Sequence, residues 1–124
     1  MSIYLWLNAA LYLLFAVWCT ASPWKTSANL GYETLTAGGR SEYLVIYGGL
    51  QLGFAAFFAI TARGDLALQK LGVLFALCLY VPIVAYRLFT VAKFWPVPSM
   101  TLMVGALELG LLVAAVVLYV ASTR

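Results

Sequence analysis

An arginine and a glutamate stand where apolar residues are the rule. Arg87 lies in "VPIVAYRLFTVA" and Glu108 in "MVGALELGLL", and neither stretch holds a second charge. Ionisable groups inside apolar helices are costly in lipid and face other protein groups. A carboxylate alone in hydrocarbon would take up a proton and go neutral. Beside a guanidinium, which stays protonated, Glu108 is expected to keep its charge in an inward Arg87–Glu108 pair, with Tyr86, Tyr80, Tyr47 or Gln51 supplying the remaining hydrogen bonds. Glu42 and Gln51 add two more polar groups within "SEYLVIYGGLQLG". Little else offers chemistry. The chain has no histidine, no CxxC, no Ser–His pair and no glycine-rich phosphate loop. Cys19 and Cys78 fall at different depths of different apolar runs, which predicts small apolar fillers rather than a disulfide. No catalytic residue, metal or cofactor is expected.

The elements that must position these groups follow from composition. Of 124 residues 65% are hydrophobic and 9% charged, against about 25% charged in soluble domains. So few charges cannot cover a surface facing water. Soluble, disordered and nucleic-acid-binding classes are excluded together, and a net charge of +3 is too small and dispersed for a nucleic-acid footprint. A spanning helix needs about 20 mostly apolar residues. Four runs qualify, at 3–20, 43–61, 67–91 and 100–121. Lipid offers no partner for backbone groups, so each run should be a helix. The expected fold class is all-α: an integral membrane four-helix bundle, one transmembrane domain over residues 1–124, with a long polar loop at 21–42. Pro82 inside the third run predicts a kink rather than a break. A short interfacial helix within "TSANLGYETLTAGG" is weakly patterned.

Aromatic residues mark the two membrane faces, Tyr4, Trp6 and Tyr119 on one and Trp18, Trp24, Tyr43, Phe94 and Trp95 on the other. No Lys or Arg precedes the first run, so it is expected to be a retained helix rather than a secretory signal. Basic residues are nearly balanced, with Arg63, Lys70 and Arg124 on one side and Lys25, Arg40 and Lys93 on the other. The N-terminal amine tips the expectation toward both termini being cytoplasmic, and insertion in both directions is an alternative.

Depth draws the polar groups together. At about 1.5 Å per residue, Glu108 and Gln51 each lie roughly 12 Å in from the loop side. Arg87 is near the same end of its helix, and Glu42 sits at the mouth. Spacing by three and four puts Ala76, Tyr80, Ile83 and Arg87 on one face, and Gly105, Glu108, Leu112 and Ala115 on another. The expected polar cluster, ligand-binding or structural, is Glu42, Tyr47, Gln51, Tyr80, Tyr86, Arg87 and Glu108. Gly48, Gly49, Gly53 and Gly105 are expected at helix contacts, Gly49 and Gly53 as a GxxxG step. Asn8 is expected to bond a neighbouring helix. Three readings of the Arg87–Glu108 pair stay open: a lock on helix register, one wall of a polar pocket, or a contact with another subunit.

"SEYLVIYGGLQLG", "YRLF" and "LELGLL" together resemble the bacterial DUF4345 family of small four-helix membrane proteins, in the DoxX-like group. The resemblance runs from about Leu5 to Val120. Its pattern is an acidic residue five positions before Tyr-Gly-Gly, here Glu42 and Tyr47-Gly48-Gly49, with an arginine in the third span and a glutamate in the fourth, here Arg87 and Glu108. The family often has an arginine two residues after the acidic one, where this chain has Leu44; Arg40 stands on the other side. The resemblance implies a fold, a polar cluster and the bacterial cytoplasmic membrane, and no reaction.

Two functions compete. One is a small membrane protein that binds or transports a small or amphiphilic molecule. The other is an accessory or assembly subunit of a larger membrane complex with a purely structural Arg–Glu pair. Expected partners are the lipid bilayer, a small amphiphilic ligand, and a second copy or another membrane protein; nucleic acid is not among them. Small multidrug transporters share the size, but their buried glutamate lies in the first helix, where this chain has Asn8.

Overall fold

The computed structural model describes residues 1–123; Arg124, counted in the charge balance above, lies outside the described residues. The described chain is all-α, and four of its helical stretches are long and apolar enough to cross a membrane: Ser2–Ala21, Ala37–Arg63, Leu66–Lys93 and Ser99–Thr123. The described chain divides into two compact units, residues 2–63 and residues 64–123, the latter with Met1.

The first unit is built on α1 (Ser2–Ala21). A short helix, α2 (Pro23–Asn29), follows at once, with proline in its first turn where no backbone donor is missed. The next helix begins as α3 (Ala37–Leu44), passes through a π-helical stretch, Val45–Leu50, and continues as α4 (Gln51–Arg63). It starts six residues before the expected boundary at residue 43. The cause is a cap: Thr36 Oγ1 accepts the Gly39 N–H at 3.1 Å, satisfying one orphan donor of the first turn. The expected loop 21–42 is thereby reduced to a few residues around Leu30–Thr36.

α1 packs along α4 through small residues and rings. Ala9, Ala16, Ala55 and Ala62 are all buried, which lets the backbones approach closely. Phe58, fully buried, stacks on Tyr12 at 5.8 Å between centroids, and Phe54 meets the same ring edge-on at 5.4 Å. Asn8 is fully buried and donates to the Tyr4 carbonyl one turn back, at 2.9 Å.

The second unit is a helical hairpin of α5 (Leu66–Lys93) and α6 (Ser99–Thr123). Asp65 caps α5 by accepting the Leu68 N–H at 2.9 Å. Pro82 sits inside α5 without ending it. Gly72, Val73, Ala76, Tyr80 and Val84 form the buried stripe of α5, and Leu111 and Ala115 that of α6. Most remaining large apolar side chains of α6, such as Met103, Leu107, Val113 and Val117, are exposed. For a helix of this length that is a surface for acyl chains.

Candidate functional site

Arg87 and Glu108 form a two-pronged ion pair within the hairpin. Arg87 Nε donates to Glu108 Oε2 at 2.9 Å and Nη2 to Oε1 at 2.8 Å. This fork-on-fork geometry is the strongest form of such a pair. The Glu108 side chain is 16% exposed and that of Arg87 32%. Gly105 makes it fit: a Cβ there would stand 3.2 Å from Arg87 Cγ, so the missing side chain is the seat for the arginine stem. Gly105 precedes Glu108 by three residues and shares its face. The arginine therefore crosses α6 over a glycine and lands on the carboxylate one turn later. Both carboxylate oxygens are engaged, and the pair is electrically closed.

The other residues expected in the cluster distribute differently. Tyr80 is buried on the Arg87 face of α5. Tyr86 is 73% exposed; as the neighbour of Arg87 in sequence it lies about 100° around the helix. Glu42, Tyr47 and Gln51 belong to the first unit. Gln51 Nε2 donates to the Ile46 carbonyl at 3.3 Å, across the π-helical stretch, so its amide serves a local backbone group.

That stretch also re-sorts the glycines. An i→i+5 turn winds less per residue than an α turn, so the positions after it are rotated. Gly48 is buried, and a Cβ there would come within 2.8 Å of Thr20 Oγ1 on α1. Gly49 and Gly53 are exposed and a Cβ on either would meet nothing within 4 Å. The GxxxG step is thus present in sequence but carries no close helix contact.

Glu42 and Tyr47 line a hollow of about 300 Å³ in the first unit. Tyr32, Tyr43 and Tyr47 supply its rings, Leu35 and Ile46 its aliphatic wall, and Gly39 leaves it room. Tyr43 is anchored. Its hydroxyl donates to Thr26 Oγ1 at 2.8 Å and lies 3.6 Å from Cys19 Sγ, and Thr26 in turn donates to the Ser22 carbonyl at 2.9 Å. This chain ties α1, α2 and α3 together beneath the hollow. Tyr47 stacks on Tyr43 at 4.6 Å and 29°, and Tyr32 stands nearly perpendicular to Tyr43, 83° at 6.2 Å. Glu42 is exposed and, among the described residues, makes no ion pair. The nearest arginine in sequence is spent elsewhere, since the Arg40 guanidinium lies 4.2 Å over the Trp24 ring. Tyr32 and Leu35 went unnoticed in the sequence because they sit in the connection between α2 and α3, where no periodicity marks a face.

A larger hollow, about 640 Å³, is lined by Asp65, Ala67, Leu68 and Leu71 at the start of α5. Its one carboxylate is used as the helix cap, so it offers no unspent polar group. Cys19 and Cys78 are both free thiols, Cys19 buried and Cys78 exposed. Among the described residues no three potential metal ligands gather. Comparison of the chain with known proteins finds no matching family model, no matching curated protein and no matching solved structure.

Proposed function

We propose that this small membrane protein binds an amphiphilic molecule at the hollow between Tyr32 and Tyr47, with Glu42 at its polar edge. The observation that carries the reading is a concave, ring-lined site holding an unpaired carboxylate. Such a site, mostly apolar with a few placed polar groups, is what ligand pockets look like. Its level in the bilayer suits an amphiphile. Ala37–Arg63 is 27 residues long, about 40 Å as a helix, against a hydrocarbon core of about 30 Å. If Arg63 marks the far face, the surplus puts the residues before about 43 among the headgroups. We place both termini on the cytoplasmic side of a bacterial membrane, on the slight tilt given by the N-terminal amine, and membership of the DUF4345 family accords with the Glu42, Tyr47-Gly48-Gly49, Arg87 and Glu108 pattern.

The test is native mass spectrometry of protein extracted gently from membranes. A retained amphiphile in wild type, reduced in Leu35→Trp, which fills the hollow, supports the reading. Equal retention in both variants overturns it. A second reading, an accessory subunit of a larger assembly, is favoured by the closure of the Arg87–Glu108 pair, whose two charges satisfy each other as a structural lock would. The same extraction decides: a stoichiometric partner protein, with no small molecule retained, selects it.

A further inference from the structure

Resting on that reading, we infer that the hollow is an aromatic cage for an alkylated ammonium group, the chemistry shared by a choline-type lipid headgroup and a free quaternary-ammonium amphiphile. Three observations converge. The first is ring placement. Tyr32 and Tyr43 make two nearly perpendicular walls, and Tyr47 lies stacked beside Tyr43 on the same hollow. A cation within about 6 Å of such ring faces is held by their quadrupoles, and rings of this kind are how quaternary ammonium groups are recognised.

The second is charge. Glu42 is the one ionisable carboxylate on the hollow, and Arg40, two residues before it, is drawn over Trp24 instead of neutralising it. An anionic ligand would therefore be repelled, and a cation finds an unspent counter-charge.

The third is that, Glu42 apart, the polar groups of the hollow are already engaged. The Tyr43 hydroxyl is bonded to Thr26, the Tyr32 and Tyr47 hydroxyls bond each other, and the Leu35 and Ile46 side chains offer only hydrocarbon. A primary ammonium, which must keep three N–H groups hydrogen-bonded, would be poorly served. Methylated nitrogen has no N–H to satisfy and pays no such penalty. The headgroup level of Glu42 places such a ligand's nitrogen at the interface and its tail toward the acyl chains.

The full-length protein in dodecyl maltoside is titrated with choline, ethanolamine and 3,3-dimethyl-1-butanol, the uncharged carbon isostere of choline, by ligand-observed NMR. Choline is expected to bind at least about tenfold more tightly than either analogue, and Glu42→Gln to weaken it about fivefold, the range of one cation–π or surface-charge contact. Tyr32→Leu should weaken it similarly. Both positions are exposed, and an unchanged melting temperature verifies that the variants fold. Glu108→Gln should leave choline binding unaltered. Equal binding of choline and its uncharged isostere, or no effect of Glu42→Gln, overturns the cage. Should native mass spectrometry still find a retained neutral amphiphile, the cage falls and the amphiphile-binding reading stands; with neither, both fall. Repeating the titration in phosphatidylcholine and phosphatidylglycerol nanodiscs separates the sources. Choline binding that is weaker in phosphatidylcholine than in phosphatidylglycerol nanodiscs, where no choline headgroup competes, identifies the lipid headgroup as occupant, and equal binding in both identifies a free amphiphile.

Discussion

Removing one member of the Arg87–Glu108 pair should cost more than removing both. In Arg87→Met the Glu108 carboxylate loses two charge-assisted hydrogen bonds, of 2.9 and 2.8 Å, while remaining only 16% exposed. Stranding one partner of a fully buried pair costs about 3–5 kcal/mol. Two features lower that figure here. The Arg87 side chain is a third exposed, and a helix separated from its neighbour in a membrane still finds polar partners, so membrane hydrogen bonds measure nearer 1 kcal/mol. We therefore expect Arg87→Met to destabilise by about 2 kcal/mol and Glu108→Met, which strands a guanidinium already a third exposed, by about 1 kcal/mol. The double variant Arg87→Met/Glu108→Met should return to within about 1 kcal/mol of wild type, because a matched apolar pair pays no desolvation. The assay is reversible unfolding in mixed dodecyl maltoside and SDS micelles, followed by tryptophan fluorescence. A coupling energy below about 0.5 kcal/mol would refute the reasoning, for it would place the pair with exposed ion pairs.

Three further substitutions probe the parts around it. Tyr43→Phe removes the bond to Thr26 and should cost about 1 kcal/mol, with hydrogen exchange quickened over Pro23–Asn29. Gly48→Leu forces a side chain toward Thr20 and should cost about 1–3 kcal/mol, whereas Gly49→Ala, in open space, should stabilise by about 0.5 kcal/mol; melting temperatures of the two variants distinguish them. Asp65→Ala deletes the cap on Leu68 and should cost about 1 kcal/mol, read by the same unfolding assay.

The four long helices were legible because lipid imposes length and apolarity on any span, and residues such as those of 100–121 satisfy both without ambiguity. Arg87 and Glu108 were legible for the complementary reason: a charge in hydrocarbon needs a partner at its own depth, and few residues qualify. The start of the second long helix was not, because "TAGGRSE" reads as a polar loop unless Thr36 is recognised as a cap. Tyr43 was read as a belt residue at the water interface, yet it is buried, its hydroxyl closed on Thr26. Gly49 and Gly53 misled because the spacing rule assumes an unbroken α-helix, and a π-helical stretch, Val45–Leu50, precedes Gly53 and contains Gly49. Spacing put Gly105 on the Glu108 face, but its role as a seat for the Arg87 stem depends on the hairpin's packing, which periodicity does not encode.

The most direct measurement is photocrosslinking in native-like lipid with a diazirine-bearing alkyl trimethylammonium amphiphile, its adducts located by peptide mass spectrometry. Adducts concentrated within residues 32–47, and displaced by excess choline, are the predicted result. Adducts spread evenly along exposed faces such as Met103–Val117, indifferent to choline, would contradict a built amphiphile site.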